Sequence, residues 1–151
     1  MPQLTLHSPV GELTLSEEEG AIVAVDWGRG PPSHQRETPL LLEAKRQLER
    51  YFDGKLKDFE LPLEPDGSEF QRRVWQLMCA IPYGDIMSYG AMAKRLGGVA
   101  RAIGTACGDN PIPIIIPCHR VLGAGGKMVG YSGQGGVETK VALLRLEGAL
   151  L

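Results

Sequence analysis

Apolar and polar residues alternate along the first part of the chain in three short stretches. The stretches 3–7, 12–16 and 21–27 are rich in Leu, Val, Ile and Thr, and glycines lie in the gaps between them. A period of two over such short stretches is typical of β-strands with one buried face. The pattern predicts a small antiparallel sheet, followed by a polar loop over residues 28–38.

The next stretch has apolar residues at helical spacing. Thr38 is a residue type that often caps a helix, Pro39 suits the first helical position, and Gly54 suits the residue after the end. Residues 1–62 therefore form a predicted N-terminal domain in which one helix packs on the sheet. The apolar stripe of that helix comprises Leu40, Leu41, Ala44, Leu48, Tyr51 and Phe52.

Helical spacing dominates after residue 67. Ser68 and Gln71 have the spacing of a capping box in front of an apolar helix. Ser88 is a candidate cap for a second helix that ends at Gly97-Gly98, and a third short helix is predicted over residues 99–106. Two short helices joined by a tight glycine turn have the outline of a helix-turn-helix.

The last part of the chain contains an aliphatic segment and a final helix. We predict an extended segment over residues 112–122, a glycine-rich loop, and a helix over residues 137–147. Residues 67–151 thus form a predicted C-terminal domain that is mostly helical. A sheet-based domain next to a helical one predicts an α+β fold.

The composition is that of an ordinary soluble globular protein, with 43% hydrophobic and 23% charged residues. The longest aliphatic run, residues 114–116, is far too short to cross a bilayer, and the N-terminus lacks the pattern of a signal peptide. We therefore expect a cytoplasmic protein with no membrane partner. The cysteines Cys79, Cys107 and Cys118 have no CxxC spacing, which indicates reduced thiols and no zinc site.

Charge is distributed unevenly between the two predicted domains. Residues 1–66 hold seven basic and thirteen acidic residues, a net charge of −6, whereas residues 67–151 hold nine and five, a net charge of +4. This asymmetry indicates a polyanionic partner for the basic part, although chance patterning gives the same result. The candidates for contact with phosphates are Arg72, Arg73, Lys94, Arg95 and Arg120.

Cys118 has neighbours of the kind that activate a thiol. His119 and Arg120 follow it directly, and imidazole or cationic groups favour the thiolate, which is the nucleophilic form. On an ideal strand His119 would point to the opposite face, so either the chain turns at Pro117 or a water relays the proton. Glu147, at the end of the last predicted helix, is a candidate to orient the imidazole.

Local sequence alone also permits a purely structural interpretation of this segment. A single cysteine is more often a small buried side chain than a nucleophile, and His119 would then be a histidine hydrogen-bonded within an interface. Cys79 and Cys107 lie in predicted helices without activating neighbours, and we interpret them as structural.

The run NPIPIIIPCHRV, residues 110–121, resembles the active-site signature of the O6-alkylguanine-DNA alkyltransferases. The resemblance covers residues 67–151 and implies a winged-helix-like, helix-turn-helix domain that binds DNA and carries the active site. Before residue 67 it is weaker but compatible with the family's small RNase H-like N-terminal domain. Shorter motifs flank the signature in the family's order: Phe70-x-x-x-Val74-Trp75, Ile81-Pro82-Tyr83-Gly84, Ser88-Tyr89, Arg101-Ala102-Ile103-Gly104, Gly130-Tyr131-Ser132-Gly133 and Leu143-Leu144-x-Leu146-Glu147-Gly148.

The resemblance implies a role for each matching catalytic residue. Cys118 is expected to accept the alkyl carbon from guanine O6 in a single stoichiometric reaction. His119 is expected to act as base through a water, with Glu147 orienting its ring. Asn110 is expected to hold the turn that joins the active-site segment to the helix-turn-helix, and Tyr89 to press against the target phosphate and donate to the flipped base.

The resemblance also implies DNA and pocket contacts. Arg101 is expected to enter the base stack and take the place of the flipped base, because a planar guanidinium can stack as a base does. Without the resemblance, Arg101 would be a solvated helix charge. The pocket is expected to comprise Ser132, the backbone near Tyr131, the Val121 carbonyl as acceptor for the exocyclic amine, and Pro113 as one wall.

No cofactor is implied by this resemblance. The expected partner is double-stranded DNA that carries O6-alkylguanine, with O4-alkylthymine as a further candidate lesion, and the expected state of the protein is a monomer.

Three features depart from the family's pattern. The stretch 96–101 is shorter than the usual turn between the two helices, which bears on the reach of Arg101. Asp109 stands where many relatives carry neutral or basic residues. The N-terminal part has no cysteine and only His7 and His34, so the zinc site that some relatives carry there is expected to be absent.

Two other classes of function are alternatives. Alkyltransferase-like proteins bind alkylated DNA without repairing it, but they resemble this family with the cysteine replaced, whereas Cys118 is present. A transcription regulator would use the helix-turn-helix but would leave the signature around Cys118 unexplained.

Overall fold

Two compact units make up the fold. The structure, a computed structural model, describes residues 1–128 and 136–150, and the chain divides into the units Met1–Asp66 and Gly67–Leu151. The first unit contains a three-stranded sheet and a helix, and the second is mainly helical. The predicted α+β class is therefore confirmed.

An antiparallel sheet in the order β1-β2-β3 forms the first unit, with β1 at Gln3–Ser8, β2 at Gly11–Glu18 and β3 at Ala21–Trp27. All three predicted strands are present. β2 is longer than predicted, and its pairing with β3 shifts between Ser16 and Glu17. Because such an irregularity changes the face to which the following side chains point, a strict period of two underestimates the length of the strand.

One face of the sheet contacts α1 (Pro39–Phe52). The predicted start of the helix is confirmed, since the Thr38 side chain accepts a hydrogen bond from the Leu41 backbone N at 3.1 Å. Gly54, just past the end, has a φ of 74°, which glycine adopts without a Cβ penalty. The buried residues of α1 are Leu41, Ala44, Gln47, Leu48 and Tyr51.

The loop after β3 covers polar side chains of the sheet. The Thr14 hydroxyl, which is buried, donates to the Gly28 carbonyl at 2.7 Å, and the Thr5 backbone N donates to Gln35 Oε1 at 2.8 Å. Gly30 permits the close approach of this loop, because a Cβ at that position would lie 2.8 Å from Thr14 Cγ2. The central strand is therefore buried on both faces.

The second unit contains four α-helices and two very short strands within its described residues. Ser68 and Gln71 form both arms of the predicted capping box, and the Ser88 hydroxyl caps the next helix by accepting from the Ala91 backbone N at 3.0 Å. The helices and strands of the second unit are α2 (Glu69–Cys79), β4 (Met87–Ser88), α3 (Tyr89–Leu96), α4 (Ala100–Gly108), β5 (Val121–Leu122) and α5 (Val137–Leu146).

The helices α2, α3 and α4 form the core of this unit. The Trp75 side chain is buried, and its Nε1 donates to the Ala106 carbonyl at 2.9 Å. α3 and α4 are joined by three residues, and the first of these, Gly97, has the left-handed φ of 72° that ends a helix. This is the outline predicted for a helix-turn-helix. Among the described residues, no helix is long and apolar enough to span a membrane.

The extended segment predicted over residues 112–122 is wrong for most of its length. Only β5 is a strand, and it pairs in parallel with β4. The Ile116 backbone N donates to the Ile112 carbonyl at 2.9 Å, which closes a local turn. Ile114 has a φ of 74°. The prolines in this stretch lack the backbone N–H that a strand ladder requires, so local turns replace it.

Candidate active site

Cys118 follows a proline-rich loop that one asparagine side chain holds in place. Asn110 Nδ2 donates to the Ile116 carbonyl at 2.9 Å, and its Oδ1 accepts from the Ile112 backbone N at 3.0 Å. The positive φ of Ile114 lies within the loop and is costly for a β-branched residue. The two side-chain hydrogen bonds therefore stabilise a strained backbone immediately before the thiol.

A single turn of 3-10 helix, Cys118–Arg120, carries the thiol. The Cys118 backbone N donates to the Ile116 carbonyl at 2.8 Å, directly after Pro117. Of the two alternatives that the sequence left open, a turn at Pro117 is therefore present. Cys118 and His119 are not held on opposite faces of a strand.

The Cys118 thiol is buried, with 8% of the residue exposed. Burial raises its pKa above the usual value, and a hydrogen bond from Asn110 and the charge of Lys140 oppose this rise only in part. The resting sulfur is therefore a thiol at neutral pH, and a nucleophilic reaction needs a base to accept its proton.

His119 is fully buried and contacts a carboxylate. Its Nε2 lies 2.7 Å from Glu147 Oε2, while its Nδ1 has no hydrogen-bond partner among the described residues. Burial lowers the pKa of His119 below the usual value, although Glu147 acts in the opposite direction. The ring is therefore neutral at pH 7, and it is oriented by the carboxylate that the sequence indicated.

Arg120 does not have the exposure that the predicted phosphate contact requires. Its guanidinium is buried: Nε donates to Glu147 Oε1 at 2.8 Å, and Nη2 donates to Glu147 Oε2 at 3.0 Å. Nη1 donates to the Ile81 carbonyl at 2.7 Å. With these bonds made inside the unit, Arg120 belongs to the buried cluster that contains His119 and Glu147. The interpretation of Arg120 as a DNA-binding residue is corrected for this reason.

Lys140 is a buried cation that sequence reasoning missed. Only 1% of the residue is exposed, and its Nζ donates to the Val121 carbonyl at 2.6 Å. The ammonium also lies 6.0 Å from the centre of the Tyr89 ring, on its face. A signal was present in the sequence, because Lys140 and Glu147 are seven residues apart and share a helix face with the buried Leu143 and Leu144.

Tyr89 and Arg101 lie at the starts of α3 and α4. Tyr89 is partly buried, and burial, with smaller effects from Cys107 and Cys118, raises its pKa to about 12. Its hydroxyl is therefore a neutral hydrogen-bond donor at physiological pH. Arg101 is exposed in the first turn of α4, where it is accessible to a large partner.

The remaining residues of the predicted site fall into two groups. Val121 and Pro113 are buried in the same unit as Cys118. Tyr131 and Ser132, predicted to line the pocket, lie outside the described residues. Among the described residues, no group of three or more His, Cys, Asp or Glu side chains is arranged to hold a metal ion.

The two other cysteines differ in their surroundings. Cys107 is buried, its thiol donates to Met78 Sδ at 3.5 Å, and burial raises its pKa to about 12. This environment fits the structural interpretation of Cys107. Cys79 is exposed near the end of α2, so the same interpretation does not fit it.

Sequence models of two domains of one family match the chain. The ribonuclease-like domain of 6-O-methylguanine DNA methyltransferase matches residues 3–65, and the DNA binding domain of the same family matches residues 69–149. Together these matches span nearly the whole chain.

Relatives of similar length support the same relationship. A methylated-DNA–protein-cysteine methyltransferase of Methanosarcina acetivorans is 43% identical, over 95% of this chain and 96% of its own. The constitutive enzyme of that name from Bacillus subtilis is 42% identical, over 95% of this chain and 93% of its own. The crystal structure of Mycobacterium tuberculosis OGT in complex with DNA is 42% identical with a TM-score of 0.87, over 99% of this chain and 94% of the other. The chain therefore belongs to the 6-O-methylguanine DNA methyltransferase family.

Proposed function

We propose that this chain repairs alkylated DNA by transferring an alkyl group from O6 of guanine to the sulfur of its own Cys118. The observation that carries this proposal is a buried thiol next to a buried histidine whose Nδ1 has no partner among the described residues. Membership of the family supports the same reaction, because the relatives are named methylated-DNA–protein-cysteine methyltransferases.

The proposed reaction is a displacement at the alkyl carbon. The Cys118 proton passes through a water to Nδ1 of His119, the sulfur bonds to the alkyl carbon, and the bond from that carbon to O6 breaks. The departing guanine takes up a proton at N1, which balances the proton lost by the thiol. Because a thioether has no easy reverse reaction, each molecule acts once.

Two further side chains suit the developing charges. Lys140 is the buried cation that opposes the burial-driven rise in the pKa of Cys118. Tyr89 is a neutral donor suited to the departing base. The Val121 carbonyl accepts from Lys140 but has a second lone pair, so it can also accept the exocyclic amine of guanine.

The proposed partner is double-stranded DNA bound by one copy of the chain. A guanine inside a duplex must leave the stack before a buried sulfur can reach its alkyl group. The exposed Arg101 is the side chain we assign to the place that the base leaves. The relative from Mycobacterium tuberculosis was crystallised with DNA, and the second unit carries the net positive charge of this chain.

Intact-mass measurement after incubation with a duplex containing O6-methylguanine tests this proposal. The expected result is a gain of one methyl group per protein, on a peptide that contains Cys118, with no further turnover. Cys118→Ala should bind the lesion and gain nothing, whereas Cys107→Ser should still be methylated. Methylation of Cys79 or Cys107 in the native chain, or no gain at all, would contradict the proposal.

A further inference from the structure

Among the described residues, the carboxylate of Glu147 contacts both an imidazole and a guanidinium. Oε2 contacts both His119 Nε2 and Arg120 Nη2, at 2.7 and 3.0 Å, and Oε1 accepts from Arg120 Nε at 2.8 Å. All three residues are buried, and Glu147 lies 27 or 28 positions from the other two. The contact between Arg120 and the carboxylate is bidentate, the geometry in which a guanidinium binds a carboxylate most strongly.

Arg120 is not explained by packing alone. A guanidinium and a carboxylate lose their hydration on burial, and a buried ion pair is often no more stable than apolar residues of the same volume. The third bond of Arg120, from Nη1 to the Ile81 carbonyl at 2.7 Å, fixes the orientation of the guanidinium. Arg120 directly follows His119, the base of the proposed reaction, so the charge of the guanidinium can affect that base.

The charges within the cluster determine where the proton of His119 resides. One cation already balances the buried carboxylate, so a proton added to His119 would leave an uncompensated positive charge in a buried place. Lys140, a second buried cation, opposes that proton as well. Since an ionised carboxylate only accepts hydrogen bonds, Nε2 of the neutral ring must carry the hydrogen. The lone pair is then on Nδ1.

The geometry points to Arg120 as a positioning residue that keeps Glu147 ionised and thereby holds His119 neutral with its hydrogen on Nε2 and its lone pair on Nδ1. This inference rests on the proposed function, because the lone pair on Nδ1 is the acceptor for the thiol proton. Without the guanidinium, Arg120 no longer balances the charge of Glu147, and the carboxylate favours a proton on the adjacent His119. The ring then takes up a proton more readily, and a ring protonated on both nitrogens cannot act as a base.

The charged and titratable groups around this cluster come from several segments. Lys140 and Glu147 belong to α5 and its end, and Cys118 precedes His119 in the same turn. On the side of Arg120, the Tyr83 ring lies 5.8 Å from the guanidinium carbon, and the Cys79 thiol is within electrostatic reach. The substitutions below leave all of these groups unchanged.

The pH dependence of alkyl transfer distinguishes this role from simple support of the fold. Free O6-benzylguanine is the substrate, because it removes DNA binding from the measurement. In Arg120→Met, the transfer rate should fall more steeply than in the native chain as pH decreases from 8.5 to 6. The ratio of the rates at pH 8.5 and pH 6 should grow by about tenfold if most His119 rings of the variant are protonated at pH 6, where those of the native chain stay neutral.

Two control variants sharpen the measurement. Arg120→Lys keeps a positive charge but loses the bidentate geometry, and it should restore most of the native pH profile even at a lower maximal rate. Arg50→Met removes an exposed guanidinium of the first unit and should leave the profile unchanged. If Arg120→Met lowers the rate by the same factor at every pH, Arg120 has only a structural role and the inference is overturned.

A measurement on the native chain keeps the inference testable if Arg120→Met fails to fold. Nitrogen-15 NMR of the three histidines, with His119 assigned by its loss in His119→Gln, reports the hydrogen on each ring nitrogen. We expect Nε2–H and a bare Nδ1 for His119 from pH 6 to 8. A ring with hydrogen on Nδ1 at pH 7 would overturn the inference. Absence of alkyl transfer to native Cys118 would instead refute the proposed function, and the NMR result would stand independently.

Discussion

The two units bury polar side chains of different kinds. Among the described residues, the buried polar side chains of the first unit are neutral: Thr14, Ser16 and Gln47. Those of the second unit include four ionisable groups: His119, Arg120, Lys140 and Glu147. Both units have an apolar core, so the need for a core does not account for this difference.

The difference separates buried polar side chains that stabilise the fold from those that are suited to a chemical reaction. In the first unit, each of these three residues has a hydrogen-bond partner, and Gln47 bonds to the backbone of Glu60 at 2.9 and 3.1 Å. Neutral groups satisfied in this way are inexpensive to bury. Ionised groups are costly even when paired. A unit that concentrates such groups in its interior, beside buried thiols, has an arrangement typical of an active site.

Removing the charge of Glu147 should have the largest effect. In Glu147→Gln, Arg120 is left as a buried cation without its counter-ion, which typically costs about 3–5 kcal/mol of stability. His119 also loses the ionised acceptor that orients it, so alkyl transfer should slow by roughly 10² to 10⁴. Melting curves and single-turnover rates measure the two effects.

The matched control is Glu138→Gln, an exposed carboxylate in the first turn of the same helix. It should change neither stability nor rate appreciably. Similar losses of stability and transfer rate in Glu138→Gln and Glu147→Gln would contradict the distinction between buried and exposed charge.

Introducing a charge into the neutral interior of the first unit should destabilise it without affecting the chemistry. In Gln47→Glu, the donors to Glu43 Oε2 at 2.7 Å and to the Glu60 carbonyl at 3.1 Å are lost. We expect a cost of about 1–3 kcal/mol at neutral pH. Alkyl transfer well below the melting temperature should be unchanged.

This cost should depend on pH in a defined direction. The new carboxyl is buried beside Glu43, so its pKa in the folded state should lie above its unfolded value. The part of the penalty that comes from the charge is then absent below the unfolded pKa and grows as pH rises through the folded pKa. Gln47→Met removes the same donors without a charge, and its melting temperature should show no such trend. Equal trends in both variants would exclude the charge as the cause.

We expect the exposed cations of the second unit to contact DNA, whereas the buried ones contact groups inside the unit. Arg101→Ala should slow repair of duplex DNA by roughly tenfold or more, because the gap left by the flipped base costs a few kcal/mol to hold open. Transfer from free O6-benzylguanine should change little. Arg101→Lys keeps the charge but not the planar group, and it should recover little of the duplex rate. Equal losses on both substrates would mean that Arg101 supports the pocket instead.

Salt dependence should reveal the smallest effect. Lys94 is exposed near the end of α3, and Lys94→Ala should reduce the slope of log K against log salt for undamaged duplex by about 0.9, as expected for one phosphate contact. Lys55→Ala, an exposed lysine of the acidic unit, is the control and should leave the slope unchanged. Filter binding or fluorescence anisotropy at several salt concentrations provides the slopes. A change with Lys55→Ala alone would assign the DNA surface to the first unit.

The amino-acid sequence by itself determined the helix caps and the strands of the first unit. Thr38, Ser68 and Ser88 cap the helices that they were predicted to cap, and the three alternating stretches are the three strands. These features depend on hydrogen bonds and side-chain directions within a few residues, which a sequence displays directly. The signature around Cys118 identified the thiol for the same reason, since its neighbours are adjacent in the chain.

Only the tertiary structure decided how charge is arranged around that thiol. The turn at Pro117 replaces the predicted strand, because Asn110 holds the loop through bonds to Ile112 and Ile116. Arg120 contacts Glu147, which directly follows α5 and lies 27 positions away along the chain. Lys140 of α5 contacts the Val121 carbonyl, 19 positions away. An arginine two residues after a cysteine has the same sequence whether it faces DNA or a carboxylate. Packing against α5 determines which of the two it contacts.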